Sequence, residues 1–127
     1  MFARMTIPVV LVMVLGAQAR AEEAAKVKPD FSTPKAAIQT FIAAALARDT
    51  DLLSTCFHSK APAEFAPFVK KTASKKQLDG FAEFFQGAEI TSVEDQGERA
   101  VVKVKLKTRD ESISLGKAAT GWKVIDF

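Results

Sequence analysis

Along this 127-residue chain the spacing of apolar positions changes once. Between residues 34 and 86 they recur every third or fourth residue, the period of helices with one face on a core. From Ala88 onward they alternate with polar residues, the period of strands covered on one side. Ala37, Ile38, Phe41, Ile42, Ala45 and Leu46 form the stripe of a first helix over 34–48. Thr33 stands at its N-cap and Pro34 at its first position, where the missing N–H costs nothing. Arg48 falls in its last turn, beside the negative end of the helix dipole. Asp49-Thr50-Asp51 is a turn able to cap a short second helix running through Phe57. Pro62 and Pro67 break the next stretch, where Phe65, Phe68 and Val69 predict a helical turn pressed on the core. Ser74, with Gln77 three residues on, has capping-box spacing. Leu78, Phe81, Ala82 and Phe85 are the stripe of a third helix, with Gly87 as its stop.

The segments "AEITSVE", "RAVVKVKLKT", "SISLGK" and "GWKVIDF" read as four strands. Asp95-Gln96-Gly97, Arg109-Asp110 and Ala119-Thr120-Gly121 are the turns between them. Connections this short predict antiparallel hairpins, hence a meander. Ala100, Val102, Val104, Leu106, Ile113, Leu115, Trp122 and Val124 would share its inner face. That face needs a cover, and the helices at 34–48 and 75–86 supply one. The predicted class is α+β: three helices ahead of, and packed on, a four-stranded antiparallel meander.

The first residues carry an address rather than part of this fold. Arg4 gives a short positive region, and Ile7 to Leu15 are apolar apart from the break at Pro8. Ala17-Gln18-Ala19 and Ala19-Arg20-Ala21 both fit the small-x-small cleavage pattern. This is the layout of a secretory signal peptide, with an apolar run too short for a membrane span. Residues 1–21 are therefore read as a signal peptide, 22–30 as a flexible charged leader and 31–127 as one domain, exported to a periplasmic or extracellular compartment. Cleavage after Ala21, rather than Ala19, removes 21 of 127 residues and leaves 106, enough for a modest core. It also removes Arg4 and Arg20, so 16 Lys and Arg face 15 Asp and Glu, a net charge of +1. A balance so near neutral argues against a dedicated nucleic-acid binder. Cys56 is the single cysteine, so no internal disulfide supports the fold; its helical spacing with Leu52, Leu53 and Phe57 marks it as buried filler.

The stretch "STPKAAIQTFIAAALARDTDLLSTCF", followed at the far end by "GWKVIDF", resembles small secreted members of the nuclear transport factor two-like, or cystatin-like, superfamily. The shared features are a Thr-Pro-capped helix, an Arg-Asp step, a short Leu-rich helix and a terminal Gly-Trp-Lys strand. The resemblance spans residues 31–127 and implies a strongly curved sheet wrapped around the long helix as a cone. That architecture hosts enzymes, ligand binders and interaction modules, so it does not imply an activity. The chain has no Tyr, which excludes a tyrosine oxyanion donor of the ketosteroid isomerase kind. No catalytic residue is carried over.

Chemistry-bearing residues are sparse. His58 is the only histidine and cannot build a multi-histidine metal site; no metal and no cofactor are expected. The candidate acid–base groups are His58 with Asp49, Asp51 or Asp126, the last facing inward if Trp122 and Val124 do. Lys70, Lys71, Lys75 and Lys76 cluster before the third helix, and Lys103, Lys105 and Lys107 line one strand without interleaved aromatics. The strand row reads as the wet side of the sheet. Nine Phe and one Trp follow Ala21; core filling is their default role in so short a chain, and the functional alternative is an apolar pocket lined by Phe41, Leu46, Phe57, Phe81, Phe85 and Trp122. Phe84, off the stripe of the third helix, is the candidate mark of a self-association surface, with a homodimer among the candidate partner states. The favoured function is a non-catalytic exported domain that binds a small apolar ligand or a protein partner. The rivals are an isomerase or dehydratase using the His/Asp pair, and an electrostatic binder of anionic envelope polymers or lipids.

Overall fold

The structure is a computed structural model that describes residues 28–127. The expected signal peptide, and the leader up to residue 27, lie outside the described residues. Helix α1 (Pro34–Ala47) opens as its sequence requires: Thr33 Oγ1 accepts from the Ala36 amide at 3.1 Å, and Pro34 follows it. Arg48 does not lie in the last turn. It ends the helix in the left-handed region at φ 55°, with its N–H on the carbonyls of Ala44 and Ala45. Its Nε reaches Asp79 at 2.7 Å. Asp49 caps α2 (Thr50–Cys56) by accepting from the Leu52 amide at 3.0 Å. A 3-10 turn (Ala63–Phe65) runs into α3 (Ala66–Val69), so the expected helical turn is a short helix in its own right. Helix α4 (Lys75–Phe84) carries both halves of the Ser74/Gln77 capping box.

Strands β1 (Glu89–Asp95), β2 (Arg99–Lys105), β3 (Asp110–Ala118) and β4 (Gly121–Asp126) form one antiparallel sheet in the order β1-β2-β3-β4. The class is thus α+β, with four α-helices and a four-stranded antiparallel sheet among the described residues. Register places Ala100 opposite Leu115, Leu115 opposite Val124, and Val102 opposite Ile113, all buried on the face that meets α1. Trp122, Val104 and Leu106 are buried with them, while Lys103, Lys105 and Lys107 are exposed. Lys105 stands in register between Glu89 and Asp110, and Lys103 between Ser92 and Ser112. The lysine row is the wet side of the sheet.

Two expectations need correction. Leu46, placed on the core stripe and in the pocket lining, is 40% exposed; the buried face of α1 is Ala37, Ile38, Thr40, Phe41, Ala44 and Ala45. Thr40 and Ala44, outside the expected stripe, are the residues that lie against the core. Thr40 is satisfied there: its Oγ1 accepts from the Asp30 amide and donates to the Asp30 carbonyl, both at 3.1 Å. That exchange ties Asp30, read as the end of a flexible leader, to α1. Asp126 does not face inward. The register advances from Leu115/Val124 to Ser114/Asp126, so β4 holds one extra residue, Ile125, in a bulge. The bulge reverses the alternation: Asp126 is exposed, and its Oδ1 accepts from the Phe127 amide at 2.8 Å. The next side chain, Phe127, turns in among the rings of Phe41, Phe65, Phe81, Phe84 and Phe85.

Phe41 is the centre of that cluster. Its ring lies between 5.3 and 5.9 Å from those of Phe57, Phe81, Phe85 and Phe127, in edge-to-face contact with each. Replacing Phe41 by Ala is expected to cost about 3–5 kcal/mol of stability. Replacing exposed Leu46 by Ala is expected to cost about 0.5 kcal/mol or less. Urea unfolding midpoints of the two variants check the assignment, and comparable losses would contradict it.

Candidate functional site

The free edge of β4 is closed by residues that precede the sheet. The Phe31 carbonyl accepts from the Trp122 amide at 2.8 Å. Phe57 forms a parallel bridge with Val124, and the His58 amide donates to the Val124 carbonyl at 2.7 Å. This pairing lays His58 against β3 at Gly116. A Cβ built on Gly116 would stand 2.7 Å from Ile125 Cδ1, closer than packed atoms allow, and 3.2 Å from His58 Nε2, a tight approach. Glycine here lets the imidazole and the bulged Ile125 lie directly on the strand.

Between these groups is a cavity of about 140 Å³. His58 and Lys60 line it from the loop after α2, Glu98 from the β1–β2 turn, and Arg99, Gly116, Lys117 and Ile125 from the sheet. The Lys60 amide donates to His58 Nδ1 at 3.1 Å. With Nδ1 occupied as an acceptor, the neutral ring carries its proton on Nε2, the nitrogen on the Gly116 side.

None of the three candidate acids shares this cavity. Asp49 is the N-cap of α2, Asp51 pairs with Lys71 at 3.1 Å, and Asp126 is turned to solvent. Asp49 and Asp51 instead border a broad open depression with Pro29, Phe31, Leu52 and Thr55. Among the described residues, no three His, Cys, Asp or Glu side chains come together to hold a metal ion. Of the expected apolar lining, Phe41, Phe57 and Phe85 are buried and Phe81 is half-buried, their rings in contact with one another, and Trp122 is buried. Both cavities described above are lined by other residues. Phe84 is not a free surface group: it contacts Phe85 and Phe127, and the Arg109 guanidinium lies 5.3 Å over its ring. Lys71 and Lys75 of the other basic cluster pair with Asp51 and Asp79.

Two residues beside this region were not singled out together from sequence. Lys123 alternates outward yet is 8% exposed. Its ammonium donates to the Thr55 carbonyl in the last turn of α2 and lies 3.8 Å over the Phe31 ring. Desolvation holds its pKa below the usual lysine value. Cys56 lies beside it, fully buried, with Sγ 3.3 Å from the Leu52 carbonyl. Burial pushes the thiol up to about 12, although the Lys123 charge acts the other way. The periodicity identified Cys56 as core; the Lys123 anchor leaves no signal in a strand that reads as alternating.

No family model matches the chain, and no curated relative matches it. A solved structure that it resembles is described as a calcium/calmodulin-dependent protein kinase type II association domain from Thiobacillus denitrificans. The two are 18% identical, the alignment covers 77% of this chain and 94% of the other, and the TM-score is 0.45. No role passes to this chain at that level of likeness. Among the described residues no helix is long and apolar enough to cross a membrane.

A thiol raised to about 12 is nearly all protonated at neutral pH, and the thiolate is the nucleophile. Alkylation of Cys56 by iodoacetamide near pH ~8 is expected to be on the order of a hundredfold slower in native protein than in denaturant. Equal rates would place the sulfur in solvent.

Proposed function

We propose that this chain is an exported, non-catalytic binding domain with the cone architecture of the nuclear transport factor two-like superfamily, and that it holds a small polar ligand at the His58 cavity. The observation that carries this reading is the contrast between interior and edge. The space between α1 and the sheet is occupied by Phe rings at contact distance, while an open cavity with a polar lining lies at the β4 side. Its volume of about 140 Å³ is well under the roughly 300–1,000 Å³ of pockets that enclose whole drug-sized molecules. A small polar group fits it better than the apolar ligand expected from the Phe content. The bulges in β1 and β4 favour the bent sheet that a cone requires. With no carboxylate partner for His58 other than Glu98 in the lining, binding is favoured over an acid–base pair.

A second reading, docking of a protein partner, is favoured by β1. It is an open edge strand, exposed at every residue except Ile90, and Val93 is 41% exposed although it pairs with buried Val102. Glu89, Glu94 and Asp95 give it three carboxylates and no cation. A second copy of the same strand would meet like charges, so the matched partner is a basic extended segment added at this edge.

The test of the cavity uses amide NMR on the purified protein, titrated with neutral, cationic and anionic small polar compounds and with the apolar dye Nile red. Signals of Lys60, Gly116 and Lys117 are expected to move with at least one polar compound, and that response is expected to vanish in Gly116→Val. Nile red is expected to leave the core Phe signals unchanged. A dye response in the core, or no response at Gly116 to any compound, would overturn the reading.

A further inference from the structure

The lining of the His58 cavity has a sign. Lys60, Arg99 and Lys117 bring three positive charges and Glu98 one negative charge, while the neutral imidazole adds a donor at Nε2. None of these four charged groups has an ion-pair partner among the described residues, whereas Arg48, Lys71, Lys75 and Arg109 all do. Lys117 does lie 5.8 Å from the Trp122 ring, a weak hold that leaves its charge at the cavity rim. The overall balance of the chain does not account for this local excess, because the mature sequence is close to neutral.

We infer that the cavity is an oxyanion site, taking a phosphate, sulfate or carboxylate group. This rests on the reading of the cavity as a small-ligand site and adds the chemistry of what enters it. Three features converge. A net positive lining around a recess concentrates anions there. The Lys60 amide fixes the histidine tautomer that presents a proton, rather than a lone pair, on the Gly116 side. Gly116 lets His58 pack onto the strand, so that the imidazole and Arg99, the register partner of Gly116 on β2, line one recess. Arginine offers paired N–H groups matched to two oxygens of one anion. The volume admits one anionic group and not a polymer segment. Glu98 opposes the anion and sets a limit on how much negative charge the site accepts.

The experiment titrates the purified protein at low salt with inorganic phosphate, sulfate, acetate and glycerol, following the amides of Lys60, Gly116 and Lys117 and the His58 ring. Anions are expected to move these signals and glycerol is not. Arg99→Gln is expected to weaken binding about fivefold, the worth of one unit-charge contact in a water-like medium. Glu98→Gln is expected to tighten it by a similar factor, and Lys76→Gln, an exposed cation elsewhere, to leave it unchanged. Added chloride is expected to weaken it through screening. Phosphate and sulfate binding without acetate assigns a tetrahedral ion; acetate alone assigns a carboxylate. Equal shifts with glycerol would sink the oxyanion assignment while leaving a polar-ligand site in place, and silence with all four compounds would remove both. Equal weakening by Arg99→Gln and Lys76→Gln would reduce the effect to diffuse surface charge and overturn the site.

Discussion

The burial of Phe41 in the core between α1 and the sheet is the constraint on which the other features hang. The ring is fully buried on α1 and touches aromatic neighbours contributed by α2's C-cap, by α4 and its C-cap, and by Phe127 after β4. One side chain thus joins three helices to the end of the sheet's last strand. With a single buried, unpaired cysteine and only exposed or half-exposed ion pairs among the described residues, apolar burial has to supply most of the stability. Helices that would be marginal alone, such as α2 and α3, are held by that packing.

The same packing explains where function is left room. Rings that fill the interior make the domain a scaffold rather than a container. The His58 recess lies on the β4 side, and the β1 edge is open. The β4 edge is covered by Phe31, Phe57 and His58, and that cover, resting on a bare glycine, creates a small recess with charged walls. Lys123 strengthens the cover by joining β4 to the C-terminal turn of α2, where a cation meets unsatisfied carbonyls. The β1 edge has no such cover and is guarded by carboxylates.

Much of this fold was legible in the order of residues. Strict alternation at Val102 and Val104 against Lys103 and Lys105 set the two faces of β2, with Leu106 and Lys107 continuing it into the turn, and the Thr33-Pro34 and Ser74/Gln77 caps marked two helix starts. What stayed hidden required register or distant contact. The Ile125 bulge exchanges Asp126 for Phe127 in the interior, and a bulge changes no residue type that periodicity can detect. Leu46 satisfies a three-four spacing but sits where α1 leaves the sheet. Lys60, Glu98, Arg99 and Lys117 are scattered over 58 positions and look like ordinary surface charge until Gly116 brings them around His58. Only the histidine itself was visible beforehand.

The unequal treatment of the two sheet edges has a dynamic meaning. On β4, outward carbonyls and amides are engaged by Phe31, Phe57 and His58, so opening that edge requires the preceding loop to lift as well. On β1 the outward amides face water with nothing to displace. In deuterated solvent the molecule would therefore surrender its protons from one side of the sheet first, with β1 fraying singly and β4 opening only together with the segment that carries His58.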